Sequence, residues 1–153
     1  MQTALPCNCE INNTWEVIVV PKILKVKNMN KCIGCFECMI GCASLNFHSH
    51  TLTKSAIRVK TKGGLQSQFA AVICVGCSEP ACAEACPTQA LTPRSGGGVL
   101  FDAKKCIGCE KCVPACIVGA IAMDKQAKKP IICKQCGACV QLCPHECLTM
   151  EEA

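Results

Sequence analysis

The chain has 153 residues, enough for one compact unit or two small halves, which excludes a large enzyme. Aromatic residues make up only 3 %, whereas 19 residues are Cys, so little large apolar material is available for an ordinary core. The formal net charge is +5, but basic runs interleaved with aromatic residues are absent. Since single-stranded nucleic acids are bound by such runs, we predict no nucleic-acid partner.

No apolar run reaches the roughly 18 residues that a membrane-spanning helix needs, so no direct membrane span is expected. The first residues also lack the basic, apolar and small-residue regions of a secretory signal. Reduced thiols and the missing export signal together predict a cytoplasmic protein. Carriage across a membrane by a partner with a twin-arginine signal stays open.

Residues 1–22 are predicted to form an N-terminal arm and strand. The arm is polar and contains Cys7 and Cys9, which we interpret as free thiols. The alternative is that both cysteines bind an additional, shared cluster. Two β-rich segments, Trp15–Val20 and Ile23–Val26, predict strands that lead into the cysteine-rich part of the chain.

Four runs of four cysteines then follow, and we number them as quartets in chain order. They are quartet 1 (Cys32, Cys35, Cys38, Cys42), quartet 2 (Cys74, Cys77, Cys82, Cys86), quartet 3 (Cys106, Cys109, Cys112, Cys116) and quartet 4 (Cys133, Cys136, Cys139, Cys143). Quartets 1, 3 and 4 have the spacing C-x2-C-x2-C-x3-C, and quartet 2 is longer in its second gap. In bacterial ferredoxins this spacing binds cubane iron–sulfur clusters. The pattern therefore predicts four [4Fe–4S] clusters with all sixteen cysteines as iron ligands.

Two other readings of the cysteines are weaker. A disulfide framework is typical of small secreted domains, and the odd cysteine count and the missing signal argue against it. A structural zinc module usually has paired C-x2-C knuckles that lie a dozen or more residues apart, unlike four consecutive four-cysteine runs.

Short regular elements are expected around the quartets. A short helix is predicted over Phe36–Ala43, where it would carry two cysteines of quartet 1. Alternating segments at Ile57–Thr61 and Phe69–Ile73 predict a hairpin that turns at Gly63-Gly64. Smaller hairpins are predicted within Leu91–Asp102 and Ile121–Ile132.

The chain also repeats itself. The sequence Lys31–Cys35 recurs as Lys105–Cys109, which indicates two ferredoxin-like modules produced by internal duplication. After the fourth cysteine of quartets 2, 3 and 4, the same slot holds Ala90, Ala120 and Cys147. We therefore predict that Cys147 is a packing residue and not a ligand.

With its Pro80 and its following Pro87, quartet 2 resembles the second motif of a known family. This family comprises the four-cluster electron-transfer subunits of molybdenum and tungsten enzymes, including those of dimethyl sulfoxide reductase, respiratory nitrate reductase and formate dehydrogenase. The resemblance covers all four quartets in order, over residues 23–150. The compact chain is also similar to the polyferredoxin subunits of aldehyde oxidoreductase-type tungsten enzymes.

The resemblance implies an α+β fold of two tandem, pseudo-symmetric two-cluster ferredoxin-like modules, with short helices and hairpins around the clusters. The outer module is expected over residues 23–73 plus 124–153, and the inner module over residues 74–123. Within a module, each quartet gives three ligands to one cluster and its fourth to the partner cluster. The implied ligand groups are Cys32, Cys35, Cys38 and Cys143; Cys74, Cys77, Cys82 and Cys116; Cys106, Cys109, Cys112 and Cys86; and Cys133, Cys136, Cys139 and Cys42.

The family further implies a relay subunit that has no catalytic residues of its own. Its expected partners are a larger catalytic oxidoreductase subunit, with a tungsten- or molybdenum-pterin cofactor, and a further redox partner. A free soluble polyferredoxin shuttle is the first alternative. A zinc-binding structural module is the second.

Overall fold

The computed structural model describes residues 21–61, 63 and 68–153. The predicted arm with Cys7 and Cys9, the predicted strand Trp15–Val20 and one glycine of the Gly63-Gly64 turn lie outside these residues. The strands are β1 Lys22–Val26, β2 Arg58–Thr61, β3 Phe69–Val72, β4 Leu91–Pro93, β5 Val99–Phe101, β6 Ala122–Asp124, β7 Lys129–Ile131 and β8 Leu148–Glu152. The α-helices are α1 Glu37–Phe47, α2 Ala81–Glu84, α3 Cys112–Ala115 and α4 Ala138–Gln141, and 3-10 turns occur at Met29–Lys31 and Leu52–Lys54. Within the described ranges no helix has the length and apolarity needed to cross a bilayer.

The three predicted hairpins are confirmed. Strand β2 pairs with β3, β4 with β5, and β6 with β7, each in antiparallel orientation. The first hairpin brings Arg58 opposite Val72 and Thr61 opposite Phe69. Each hairpin is a separate two-stranded sheet, so the strands serve as spacers between the cysteine loops.

Helix α1 is longer than predicted. It was expected to end at Ala43 but continues to Phe47, where the chain turns into a left-handed conformation at His48 with φ 48°. The helix continues because Ala43 and Leu45 favour it and no proline follows Cys42. The last turn of the helix is closed by a hydrogen bond from the His48 N–H to the Ser44 carbonyl oxygen, at 3.1 Å.

The strand predicted at Ile23–Val26 is confirmed, but its partner is one that the sequence did not indicate. Strand β1 pairs antiparallel with β8, with Lys22 opposite Glu152 and Val26 opposite Leu148. This sheet joins the segment before quartet 1 to the segment after quartet 4.

The apolar side chains form two clusters. The first surrounds quartets 1 and 4 and includes Leu24, Ile57 and Ile131. The second surrounds quartets 2 and 3 and includes Leu91 and Ile132. The neighbours Ile131 and Ile132 thus pack into different clusters, because successive side chains of an extended segment point to opposite sides.

The predicted boundary between residues 123 and 124 falls inside β6, and the β6–β7 hairpin spans it. The division into an outer and an inner module stays a prediction.

The two halves of the fold, each with its own apolar cluster, meet at a tightly packed junction formed by Ile23, Gly76 and Gly97. A Cβ atom at Gly97, in the β4–β5 turn, would overlap the carbonyl oxygen of Gly76 in the loop of quartet 2. A Cβ atom at Gly76 would in turn overlap the side chain of Ile23 in β1. Both glycines have positive φ, so the close approach and the backbone conformation require glycine at the same positions.

Candidate iron–sulfur cluster sites

Every cysteine in the described part of the chain is a free thiol, so no disulfide links these residues. The quartet cysteines line four cavities, and each cavity has the first three cysteines of one quartet and the fourth cysteine of another. We number them as site 1 (Cys32, Cys35, Cys38, Cys143), site 2 (Cys74, Cys77, Cys82, Cys116), site 3 (Cys106, Cys109, Cys112, Cys86) and site 4 (Cys133, Cys136, Cys139, Cys42). The fold brings these cysteines together, and their role as cluster ligands stays a prediction.

The short helices lie between the sites. Helix α1 carries Cys38 towards site 1 and Cys42 towards site 4. Helix α4 begins just before Cys139 of site 4 and is followed by Cys143 of site 1. The two helices contact one another, so each can serve both sites of the pair. Helices α2 and α3 contact each other in the same way between sites 2 and 3.

Backbone N–H groups are directed at the fourth cysteine of three quartets. In each case the donor lies four residues further along the chain. The bonds run from the Ala90 N–H to Cys86 Sγ at 3.3 Å, from the Ala120 N–H to Cys116 Sγ at 3.3 Å, and from the Cys147 N–H to Cys143 Sγ at 3.4 Å. The position that the sequence aligned as Ala90, Ala120 and Cys147 therefore has the same structural role in all three quartets. The Cys147 side chain is buried, with 3 % of its surface exposed.

Quartet 1 obtains this donor differently. Because α1 continues past Cys42, the equivalent backbone N–H is used inside the helix. The side chain of Asn46 takes its place and donates from Nδ2 to Cys42 Sγ at 3.9 Å and to Cys136 Sγ at 3.6 Å. Sequence reasoning missed Asn46, although its position one helical turn after Cys42 was a usable signal.

Burial and crowding disfavour thiolates at the buried cysteines of sites 1 and 4 unless a cation is present. Burial, together with the negative charges of neighbouring Cys143 and Cys35, raises the pKa of Cys38 to about 11. Burial likewise raises the pKa of Cys133 and of Cys139 to about 12. Four thiolates in one cavity repel one another, so a group that carries several positive irons suits each site.

The donor chemistry fits a cubane cluster. N–H groups that point at sulfur stabilise the negative charge of a cluster thiolate and tune its reduction potential. Among the residues described, no three His, Cys, Asp or Glu side chains are arranged to ligate one metal ion. The cysteines of each site surround a cavity instead, as a cage of four irons requires.

The four sites follow one another in space in the order 1, 4, 2, 3. Cys38 of site 1 and Cys139 of site 4 pack into the same group of buried apolar side chains. Cys133 of site 4 also lines the cavity of site 2, together with Cys74. Sites 2 and 3 share the α2–α3 contact. This spatial order differs from the order of the quartets along the chain.

Two parts of the chain match family profiles, both described as a 4Fe-4S dicluster domain. The first match covers residues 73–121 and contains quartets 2 and 3. The second covers residues 105–147 and contains quartets 3 and 4. Both profiles combine quartets that are consecutive in the sequence. In the structure, by contrast, the cysteines of quartet 4 share their cavities with those of quartet 1.

Similar proteins carry names of redox enzymes. The chain is 30 % identical to the B component of polysulfide reductase from Wolinella succinogenes, over 81 % of this chain and 73 % of that protein. It is 29 % identical to the thiosulfate reductase electron transfer subunit of Salmonella typhi, over 77 % of this chain and 69 % of that protein.

A third relative is much longer. The chain is 33 % identical to the beta subunit of NADH-dependent phenylglyoxylate dehydrogenase from Aromatoleum evansii, over 77 % of this chain and only 28 % of that protein. It covers 20 % of an Escherichia coli protein named as an oxidoreductase, to which it is 36 % identical. The chain thus spans under a third of the length of these two relatives.

Proposed function

Since this protein belongs to the 4Fe-4S dicluster family that includes iron–sulfur electron-transfer subunits of reductases, we propose that it relays electrons through four [4Fe–4S] clusters. The sixteen cysteines of sites 1 to 4 would be the ligands. Like these relatives, the chain is a non-catalytic redox subunit. Its substrate chemistry belongs to a larger subunit of a multi-subunit oxidoreductase.

The observation that carries this proposal is the single-file order of the sites. Each inner site in the order 1, 4, 2, 3 has two neighbours, and sites 1 and 3 each have one. An electron that enters at site 1 would therefore pass through sites 4 and 2 on its way to site 3, or the reverse. A shuttle needs only one or two clusters, whereas four sites in series suit two partners at opposite ends.

A bound [4Fe–4S] cluster would supply one-electron oxidation and reduction at each site. The residues of the chain hold and tune it. The cysteines fix the position of the irons, and the N–H groups of Ala90, Ala120 and Cys147 stabilise the negative charge on sulfur. The apolar side chains around the sites shield from water the buried cysteines of the sites, which are Cys38, Cys42, Cys112 and Cys139.

Each end of the series carries an exposed apolar side chain next to its first cysteine. Ile33 follows Cys32 of site 1 and is 64 % exposed, and Ile107 follows Cys106 of site 3 and is 69 % exposed. We propose that each of these two side chains contacts another subunit. We assign one end to a catalytic subunit, with a tungsten- or molybdenum-pterin cofactor of the dimethyl sulfoxide reductase or aldehyde oxidoreductase type, and the other to a further redox partner. A cytoplasmic location would keep the thiols reduced before the clusters are inserted.

The proposal is tested by anaerobic size-exclusion chromatography of native extract, followed by iron analysis of the fractions. The chain is expected to elute with a larger subunit, and the isolated chain is expected to accept electrons from dithionite but turn over no substrate. A chain that elutes alone and reduces unrelated oxidoreductases equally well would support the shuttle instead.

A further inference from the structure

One position that is glycine in the other three quartets holds a different residue in quartet 4. The second residue after the first cysteine is Gly34, Gly76 and Gly108 in quartets 1 to 3, with φ of 73°, 64° and 71°. In quartet 4 the same position is Gln135, which adopts φ 54°. This left-handed conformation suits glycine and strains a residue that has a Cβ atom. Gln135 therefore keeps the loop geometry at a cost that the other quartets avoid.

The side chain of Gln135 compensates for this strain by spanning the junction between the two halves of the fold. It is buried, with 7 % of its surface exposed. Its Oε1 accepts a hydrogen bond from the Leu24 N–H in β1 at 2.7 Å. Its Nε2 donates to the carbonyl oxygen of Cys74 in the loop of quartet 2 at 3.1 Å. One amide thus satisfies backbone groups of two separate segments.

These contacts lie where site 4 meets site 2. The backbone N–H of Gln135 is directed at Cys133 Sγ of site 4, at 3.5 Å. Its side chain holds Cys74 of site 2, and Cys74 and Cys133 line the same cavity. Gln135 is therefore bonded to one cysteine of each site across the step that connects the two halves of the series.

A second side chain reinforces the same junction. Arg94, which begins the turn between β4 and β5, donates to the carbonyl oxygen of Lys134 at 3.3 Å and to that of Lys22 at 3.1 Å. These carbonyls are adjacent in sequence to Gln135 and to Ile23 of β1. Arg94 secures the backbone of the junction, whereas Gln135 reaches a cysteine residue of both sites.

We propose that Gln135 is a positioning residue for electron transfer between sites 4 and 2. Its amide fixes Cys74 relative to Cys133 and so sets the electronic coupling across this step. One electron leaves one site and arrives at the other, so the exchange needs no proton and no further reactant. The inference rests on the proposed function, because it requires clusters at both sites.

The test compares Gln135→Gly, Gln135→Asn and the control Gln89→Gly in the full-length, cluster-loaded chain. Glycine relieves the backbone strain while removing both side-chain bonds. Asparagine tolerates the left-handed conformation and keeps an amide that is one methylene shorter. Gln89 is a matched control, since it has φ 52° and an exposed side chain near Cys86.

Iron and sulfide are measured first, so that an unloaded wild-type chain counts against the proposed function and not against the role of Gln135. Spin–spin interaction between reduced clusters and their midpoint potentials are then recorded by electron paramagnetic resonance. We expect Gln135→Gly to lose the interaction of one cluster pair and to shift the potentials of that pair. Gln135→Asn is expected to show a smaller change, and Gln89→Gly none.

Wild-type interaction and potentials in loaded Gln135→Gly and Gln135→Asn would overturn the proposal. Failure of both variants to retain clusters would do so as well, because it would assign Gln135 to assembly and not to electron transfer. If only the glycine variant loses clusters, the spectra of the asparagine variant decide.

Discussion

Cys38 and Cys143 line one cavity, although quartets 2 and 3 lie between them in the sequence. Burial raises the pKa of Cys38, and the negative charge of a Cys143 thiolate is the next cause. The two side chains therefore lie within electrostatic reach of each other. Quartets 1 and 4 thus share their two sites although quartets 2 and 3 lie between them in the chain, and we call this arrangement nested. Site 1 can be completed only when the chain has returned from the inner sites.

The first prediction concerns this shared site. Cys143→Ser should disturb the cluster of quartet 1, because Cys143 lines site 1 and not the cavity of its own quartet. Iron should fall from about 16 to about 12 per chain if the weakened cluster is lost. Mössbauer and paramagnetic resonance spectra should assign the loss to site 1. As a control, Cys116→Ser should disturb site 2 instead, and loss of the site 4 cluster in Cys143→Ser would contradict the grouping.

The second prediction concerns cofactor content. The anaerobically purified chain should contain about 16 iron and about 16 sulfide, because each of four cubane clusters has four of each. Iron and sulfide assays check the numbers, and dithionite should bleach the broad visible absorption. Stoichiometric zinc with little sulfide would favour a zinc-binding structural module.

The third prediction uses the pH dependence of an ion pair. Burial opposes ionisation of Asp124, but the backbone N–H groups of Gln126 and Ala127, together with Lys54, lower its pKa overall. The Lys54 Nζ lies 3.2 Å from Asp124 Oδ2. A lowered pKa in the folded state means that the stabilisation is complete above the unfolded-state pKa of about 3.9. It is lost only as the pH falls through the still lower folded-state pKa.

Asp124→Asn should therefore lower the thermal midpoint of the loaded chain, and the decrease should be the same at pH 6, 7 and 8. The control Asp102→Asn should have a smaller effect, since Asp102 forms no ion pair among the residues described. A difference that disappears at pH 6 would show that another group is responsible.

The fourth prediction concerns the packed junction. Gly97→Ala should destabilise the protein by roughly 3 kcal/mol or more, because the added Cβ would overlap the backbone of Gly76 at a positive φ. Gly119 also has a positive φ but has open space around it, so Gly119→Ala should cost only about 1 kcal/mol. Thermal midpoints of the loaded variants provide the comparison, and equal midpoints would mean that the junction can relax.

The fifth prediction concerns the two ends of the series. Ile33→Glu should weaken exchange with the partner at site 1, and Ile107→Glu with the partner at site 3, each by about tenfold or more if the side chain is central to its interface. Leu45→Glu, at a side chain that is 63 % exposed in α1, is the matched control. Reduction rates of the loaded chain with each partner distinguish the variants. An equal effect of Leu45→Glu would show that added charge alone is responsible.

Local features of this fold could be read from the sequence, and non-local ones could not. The hairpins at β2–β3, β4–β5 and β6–β7 join neighbouring segments, so alternation and turn residues predict them. The β1–β8 pairing joins segments that are far apart in sequence, and no local sequence pattern in either strand indicates which strand it pairs with.

The same distinction applies to the sites. Cysteine spacing indicates which three residues of each quartet lie together, because those loops are local. The role of Gln135, and the bond from Asn46 to Cys136, depend on segments that only tertiary packing brings near. At Gln135 the local preference for glycine is broken, and such conflicts mark positions where a distant contact matters.

The nested sites also impose an order on biosynthesis. The ribosome makes Cys32, Cys35 and Cys38 well before Cys143, and at the usual rate of translation the delay is on the order of 10 s. Sites 2 and 3 have all of their cysteines by Cys116, so they can be loaded while quartet 4 is still being made. Quartet 1 must wait with three exposed thiols, and β8 can add to β1 only at the end of this interval. We therefore expect a nascent chain to gain the clusters of sites 2 and 3 first, and those of sites 1 and 4 to require protection from oxidation until translation reaches quartet 4.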